Sequence, residues 1–240
     1  MKTIAYIIIV LNSICSLNAQ TEALFFEQSN EFLKDNVTKE GKINYGTIKK
    51  SPGELFYILE NISNLKIEAN INNEANIAYW INVYNLLTIK NVVENYPIKS
   101  VKNVAGFFDK TYLINGENLS LTDIEEKLNF LCKDPGIHFV LSQASNGDAI
   151  LHNGAYLPES ALYQMSLQVK TAINKPNFLK VNSKSDVVEL PIIFQKYKKD
   201  FVSLYYNEID FLNIFLDKKL NNKMKVVFSN FDWTLNDTNQ

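Results

Sequence analysis

The sequence predicts an α+β fold, a single domain with a central buried helix packed against a small antiparallel or mixed sheet. Residues 78–90 are apolar on almost every side, which is typical of a helix that lies inside a domain. Asn115-Gly116, between apolar pairs, is the strongest short signal for a β-hairpin. Helical patterns precede this hairpin, and strand and helix patterns are interspersed after it, an order that favours α+β over a doubly wound sheet.

The elements before the hairpin are predicted to be mostly helical. Apolar spacing indicates a first amphipathic helix over 22–34, and residues 37–45 are typical of a turn with a short extended piece. Pro52 marks the start of a helix that continues to about Ser63. The central helix is predicted to run from about Glu74 to Asn95, capped by Asn72 or Asn73 and stopped before Pro97.

The elements after the hairpin are predicted to mix helices and strands. Ser120 with Asp123 resembles a capping box that opens a helix to about Cys132. Residues 137–142 alternate between two faces, as a strand would, and a polar loop follows over 143–154. The remaining predictions are helices over 158–173, 191–199 and 208–220, and strands over 178–181, 187–190 and 225–228.

The composition is that of a folded globular protein. Of 240 residues, 46% are hydrophobic and 21% are charged, with only 8 glycines and 6 prolines, which argues against disorder. Neither an internal repeat nor a linker rich in Pro, Gly or Ser divides the chain. We therefore predict one domain over residues 20–240.

Residues 1–19 are predicted to be a secretory signal peptide. Lys2 supplies a positive charge, an apolar run follows over residues 4–11, and Ala19 precedes a polar Gln20. The run is too short to cross a membrane comfortably, which takes about 20 residues. We expect an exported protein, periplasmic or extracellular, without an integral membrane segment after the signal. An uncleaved N-terminal anchor and a lipoprotein signal at Cys15 are the alternatives.

Charge and cysteine content exclude several classes of function. The net charge is −2, no arginine is present, and arginine is the residue that nucleic-acid recognition favours, so we predict no nucleic-acid partner. Removal of the signal would leave Cys132 alone, unable to form an intrachain disulfide and expected to be a core residue. Histidine, cysteine and carboxylate spacing of metal sites is absent, as are phosphate-binding glycine loops, so we predict no metal or cofactor.

Polar residues inside apolar patterns are the candidate site residues. Asn82 and Asn85 share one face of the central helix, where they either tie loops to the core or line a site. Only His138 and His152 can titrate near neutral pH, and Glu125 lies close enough to the apolar side of its helix to need a partner such as His138. The polar loop adds three further candidates: Ser142, Ser145 and Asp148.

The chain resembles the domain of unknown function 547 family of mostly bacterial, often exported proteins. The resemblance is carried by residues 79–89 followed by Tyr96-Pro97, and by the segments 116–125, 134–141, 194–201 and 231–236. These segments occur in the order of the family and extend over roughly residues 26–236.

The resemblance implies a site like that of a cysteine hydrolase or transamidase, in which histidine activates a thiolate. It also implies that a nucleophile has been lost. The family usually has cysteine where Gln143 stands and often a second where Asp148 stands. The chain also has Ala149 and Ile150 where the family has prolines, Glu126 where it has histidine, and Gly136 where it has arginine. Retained are Trp80, Asn82, Asn85, Glu125, His138 and Ser145.

These observations leave three functions open. The first is an exported, degenerate member that binds a small molecule or peptide of the cell envelope. The second is a hydrolase or transamidase that uses His138 and Glu125, with water or Ser145 as the nucleophile. The third is a structural envelope domain. Our candidate catalytic residues are His138, Glu125 and Asn85, and our candidate ligand-binding residues are Trp80, Asn82, Gln143, Ser145 and Asp148.

Overall fold

The computed structural model describes residues 20–63, 73–148 and 150–239. The predicted signal over 1–19, the capping side chains of Asn72 or Asn73, and Ala149 lie outside the described residues. Among the helices described, none combines the length and apolar character needed to cross a membrane.

The helices predicted before the hairpin are all present, together with one short α-helix that was not predicted. Helix α1 spans residues 20–36 and is followed by an antiparallel bridge between Val37 and Ile43. Helices α2 (Tyr45–Lys50), α3 (Gly53–Asn61) and α4 (Asn73–Asn95) follow. Pro52 precedes α3, as predicted, and Asn44 caps the unpredicted helix α2 with its side chain.

Helix α4 is the centre of the larger hydrophobic core, which confirms its predicted burial. Every residue from Ala75 to Ile89 is buried. Its neighbours are α2, α3 and two helices that follow later in the chain, Leu121–Cys132 and Ala161–Ile173. A helix that is apolar all round needs neighbours on every side, and a ring of helices meets that need.

The predicted hairpin and the helix behind it are both confirmed. Strands β1 (Thr111–Ile114) and β2 (Glu117–Ser120) pair antiparallel around Asn115 and Gly116, whose φ angles are 53° and 81°. Two positive φ angles are the requirement of the hairpin turn that Asn-Gly favours. Helix α5 (Leu121–Cys132) opens with a reciprocal capping box between Ser120 and Asp123.

The strand predicted over 137–142 is wrong. Pro135–Phe139 forms a 3-10 helix, capped by the Asp134 carboxylate, which accepts a hydrogen bond of 2.7 Å from the Gly136 amide. All residues from Pro135 to Ser142 are buried, so the apparent alternation did not separate an inner face from an outer one. For an apolar run this short, periodicity cannot distinguish a strand from a helical segment, and the capping residues decide.

The second half of the domain contains the mixed sheet. After α6 (Ala161–Ile173), strands β3 (Lys180–Asn182) and β4 (Val187–Leu190) pair antiparallel, and β5 (Lys225–Phe228) pairs parallel with β4. The helix predicted over 191–199 is two helices, α7 (Ile193–Lys196) and α8 (Lys198–Leu204), and α9 (Glu208–Phe215) ends earlier than predicted. Two small sheets, one antiparallel and one mixed, in a mainly helical domain confirm the α+β class.

Two hydrophobic clusters meet at the 3-10 helix. Ile137 and Val140 belong to the larger cluster around α4, whereas Phe139 belongs to a second cluster with Phe194, Phe201 and the sheet residue Val188. His138 therefore lies at the junction of the two clusters, between α4–α5 on one side and α8 on the other.

The C-terminal segment fixes the loop that follows the 3-10 helix. The amides of Asn146 and Gly147 donate to the carbonyls of Thr234 and Asp232, at 2.8 and 2.9 Å, and Ser145 forms an antiparallel bridge with Leu235. This ladder holds residues 143–148 in one conformation beside His138.

Candidate active site

His138 is a buried, neutral imidazole paired with a carboxylate. Its Nε2 lies 2.8 Å from Oδ2 of Asp200 on α8, and its side chain is 1% exposed, against 45% for Asp200. Burial lowers the pKa of His138, an effect that the hydrogen bond to Asp200 and the charge of Glu125 oppose. Because a carboxylate oxygen accepts hydrogen bonds, we assign the imidazole proton to Nε2, which leaves Nδ1 as the acceptor. Among the described residues, Nδ1 has no hydrogen-bond partner.

Tyr197 connects His138 to two other predicted residues. Its ring stacks on the imidazole with 3.5 Å between centroids, and its hydroxyl accepts a hydrogen bond of 3.3 Å from Nε2 of Gln143. Burial, followed by the charge of the nearby Glu125, raises the pKa of Tyr197. Glu125, His138 and Gln143, which are distant in sequence, thus converge on one phenol ring.

The Asp148 carboxylate binds the backbone of the loop 143–148. Its Oδ2 accepts hydrogen bonds from the Gln143 amide at 2.5 Å and from the Ser145 amide and hydroxyl at 3.3 Å each. Burial nevertheless raises the pKa of Asp148 to about 7. Gln143 therefore joins both halves of the cluster, with its backbone on Asp148 and its side chain on Tyr197.

Asn82 and Asn85 each bind the backbone of one loop with both polar atoms of the amide. Nδ2 of Asn85 donates to the Val140 carbonyl and its Oδ1 accepts from the Ser142 amide, both at 2.9 Å. Asn82 makes the equivalent pair with the carbonyl and amide of Tyr156, at 2.8 and 2.9 Å. These hydrogen bonds tie two loops to the core. Those of Asn85 fix the position of the backbone between His138 and Gln143. A direct part of Asn85 in a reaction stays a prediction.

Trp80 and Ser145 are not joined to the His138 imidazole. Trp80 packs edge-on against Tyr79, at 5.0 Å between ring centroids, and Lys127 Nζ lies 4.6 Å from its ring. No ring contact or hydrogen bond within the described part of the chain links Trp80 to His138. The Ser145 hydroxyl donates to Asp148 instead. Their roles in ligand binding stay predictions.

A cavity of about 360 Å³ lies against the exposed edge of the His138–Asp200 pair. We call it the His138 cavity; its lining includes His138, Asp200, Lys133, Asp134 and Ser203. One positive and two negative side chains thus face the same space. In the residues that the structure covers, no group of three or more His, Cys, Asp or Glu side chains is arranged to hold a metal ion.

Tyr197 and Asp200 are the two site residues that sequence reasoning missed. They lie three positions apart at the start of α8, so they share a helix face, and both fall in segment 194–201, which carried part of the family resemblance. That spacing within a recognised segment was the available signal. Their proximity to His138 depends on the packing of α8 against the 3-10 helix and cannot be inferred from the chain order.

Comparison with known proteins confirms the family resemblance over part of the chain. Residues 69–171 match the model of the family described as protein of unknown function, DUF547. The match includes α4, the hairpin, α5, the 3-10 helix and the loop 143–148. No curated protein and no solved structure matches the chain.

Proposed function

We propose, from this family match and the geometry of the site, that the protein binds a small polar ligand or a peptide end in the His138 cavity. In this proposal it is a degenerate member of its family, exported to the periplasm or the cell exterior, where a small molecule or peptide of the envelope is its partner. The observation that carries the proposal is the pairing of His138 with Asp200 at the cavity. The other imidazole nitrogen, Nδ1, has no hydroxyl or thiol as a hydrogen-bond partner among the described residues.

Catalysis in which histidine activates a nucleophile needs a hydroxyl or thiol within hydrogen-bond reach of the imidazole. Nδ1 of His138 has no such neighbour in the described residues, and the Ser145 hydroxyl is directed to Asp148. Gln143, where the family usually has cysteine, offers an amide that bonds Tyr197. Burial raises the pKa of Cys132 to about 11, so this thiol stays protonated at neutral pH. These features support binding over turnover.

The charges of the His138 cavity support a zwitterionic ligand. Asp200 is half exposed and uses Oδ2 for His138, and Asp134 uses Oδ1 for its capping bond, so each carboxylate keeps a second oxygen. Lys133 lies on the same cavity wall. An ammonium group facing Asp200 and a carboxylate facing Lys133 would complement these charges, and a short peptide carries both groups.

The test uses the two histidines as reporters, since the sequence contains only His138 and His152. The dipeptide Ala-Ala is titrated into the protein while the imidazole proton resonances are followed by NMR. We expect the His138 signal to shift with saturation and the His152 signal to stay in place, because His152 lines a different cavity. N-acetyl-Ala-Ala, which lacks the ammonium group, should bind more weakly.

Two variants and a matched control sharpen this test. Asp200→Asn and Lys133→Gln each remove one charge from the His138 cavity, and Lys223→Gln removes the same charge as Lys133→Gln from an exposed position away from it. Both cavity variants should weaken the shift, and the control should not. A His138 signal that Ala-Ala leaves unchanged, or equal effects of Lys133→Gln and Lys223→Gln, would refute the proposal.

Hydrolysis or transamidation is the second candidate function, supported by one feature of the dyad. A carboxylate that fixes the imidazole proton on one nitrogen leaves the other free as a general base, as in hydrolase triads. Water would then be the nucleophile. A panel of ester and amide substrates tests this: turnover that disappears in His138→Ala would favour the enzyme, and activity that survives the substitution would remove the role of His138.

A further inference from the structure

A second cavity lies beside the second hydrophobic cluster. It has a volume of about 530 Å³ and opens where the end of α6, strand β3 and the segment between α9 and β5 meet. It shares no lining residue with the His138 cavity. Cavities of this size commonly hold small organic ligands. We call it the β3 cavity.

The floor of the β3 cavity is apolar. Ile173, Leu216 and Met224 line it and belong to the second hydrophobic cluster, so the cavity reaches into that core. Val181 of β3 also lines it while 45% exposed. An aliphatic chain placed here would cover this apolar surface and gain the free energy of its removal from water.

The rim of the β3 cavity carries more positive than negative side chains. Lys175, Lys218 and Lys219 line it, together with Asp186 and Asp217. Lys219 Nζ donates to the Leu216 carbonyl at 2.7 Å. Neither Lys175 nor Lys218 has an ion pair within 4.0 Å among residues 20–63, 73–148 and 150–239. Lys175 is exposed; partial burial lowers its pKa, and the charge of the nearby Glu40 opposes this effect.

Two asparagines hold the mouth of the β3 cavity in place. Asn174, at the end of α6, donates to the Phe215 carbonyl at 3.0 Å and accepts from the Asp217 amide at 3.1 Å. Asn213 of α9 binds both the amide and the carbonyl of Leu220, at 2.8 and 3.0 Å. The lysine-bearing segment 216–220 is thus anchored at both ends, and a ligand would not have to order it.

We propose that the β3 cavity binds a single-chain amphiphile with an anionic head, its aliphatic chain on the floor of Ile173, Leu216 and Met224 and its head group at Lys175 and Lys218. An apolar interior with unpaired ammonium groups at its mouth matches both parts of such a molecule. This site is independent of the His138 cavity, so the fate of one proposal does not decide the other.

The experiment is isothermal titration of the full protein with decanoate at pH 7, below the concentration at which it forms micelles. We expect saturable binding of one decanoate per chain. Butyrate should not bind, because its chain covers little of the apolar floor. Decyltrimethylammonium, with the same chain and a positive head, should bind much more weakly.

Variants of the rim and floor separate specific binding from general attraction. Lys175→Gln/Lys218→Gln should weaken decanoate binding about fivefold or more, and Lys184→Gln/Lys223→Gln, which removes the same charge outside the cavity, should leave it unchanged. Val181→Asp on the exposed strand should also weaken it, with the melting temperature measured to confirm folding. No binding of decanoate, equal binding of the cationic amphiphile, or equal effects of the two lysine pairs would overturn the proposal.

Discussion

The ring of Tyr197 lies flat against the ring of His138, with centroids 3.5 Å apart and planes 9° from parallel. Because the imidazole is neutral and almost fully buried, this stack brings no uncompensated charge into the interior. The Tyr197 hydroxyl extends the contact to Gln143 and Glu125. The residue that precedes α8 thus contacts a cluster whose other members come from α5, the 3-10 helix and the loop after it.

The two functions of Tyr197, stacking and hydrogen bonding, can be separated by substitution. Tyr197→Phe keeps the ring and loses the hydrogen bond to Gln143, so it should cost about 1–2 kcal/mol in the free energy of unfolding. Tyr197→Ala removes the ring as well and should cost about 3–5 kcal/mol. Urea denaturation measures both. Equal costs for the two variants would show that the hydroxyl, and not the stack, holds the cluster.

The asparagines of α4 are predicted to be stabilising residues. Asn82→Ala and Asn85→Ala each leave one buried amide and one buried carbonyl unpaired, so each should lower the free energy of unfolding by about 2–4 kcal/mol. Asn118→Ala on the exposed side of β2 is the control and should change it by less than about 0.5 kcal/mol. Both α4 variants are measured by chemical denaturation. If both were as stable as the wild type, the asparagines would not tie the loops to the core. The third candidate function, a structural envelope domain, would then also be contradicted.

Asp148 should make the stability of the protein depend on pH. Its pKa in the folded chain is about 7, whereas an unfolded aspartate titrates near 3.9, so the folded state holds the proton more tightly. Stability from this group is complete below about pH 4 and is lost as the pH rises through 7. Asp148→Asn keeps the shape and an acceptor oxygen but cannot ionise.

The measured quantity is the free energy of unfolding of Asp148→Asn minus that of the wild type. Between pH 4 and pH 8 this difference should grow by about 2 kcal/mol. The full pKa shift would give a larger change, but Asp148 is partly exposed and solvent screens its charge. All other titrating groups are common to both proteins and cancel in the difference. A difference that stays constant, or that grows toward acid pH, would show that the carboxyl is ionised in the folded protein throughout.

Gly147 should be intolerant of a side chain because the C-terminal segment passes against it. A Cβ there would lie 2.8 Å from the Asp232 nitrogen and 3.0 Å from its oxygen, closer than backbone atoms allow. Gly147→Ala should destabilise the protein by about 1–3 kcal/mol through displaced backbone. Gly53→Ala is the matched control, since nothing lies within 4 Å of its Cβ position and it sits in α3, where alanine is favoured over glycine. Thermal unfolding that ranks the two variants the other way would refute the close contact.

The local elements of this fold follow from short-range chemistry that the sequence displays by itself. The uninterrupted apolar character of α4, the Asn115-Gly116 turn and the Ser120–Asp123 capping box each involve residues within a few positions of one another. Their energetics are local, so the pattern alone was enough to predict them. Local pattern identified Glu125 and His138 as candidates, the family resemblance added Gln143, and the structure brings all three close to Tyr197.

Only the tertiary structure decided how the candidates are used. Asp200 lies 62 positions from His138, and Tyr197 lies 54 from Gln143, so no local pattern could pair them. The strand predicted around His138 failed for the related reason that burial on all sides removes the periodicity on which the prediction depended. The hydrogen-bond partners of Asn82 and Asn85 likewise lie 55 to 74 positions away and follow from the tertiary fold. The sequence determines which chemical groups are present and which local elements carry them. The packing of the two hydrophobic clusters against each other determines which of these groups come into contact, because burial is a property of the whole chain.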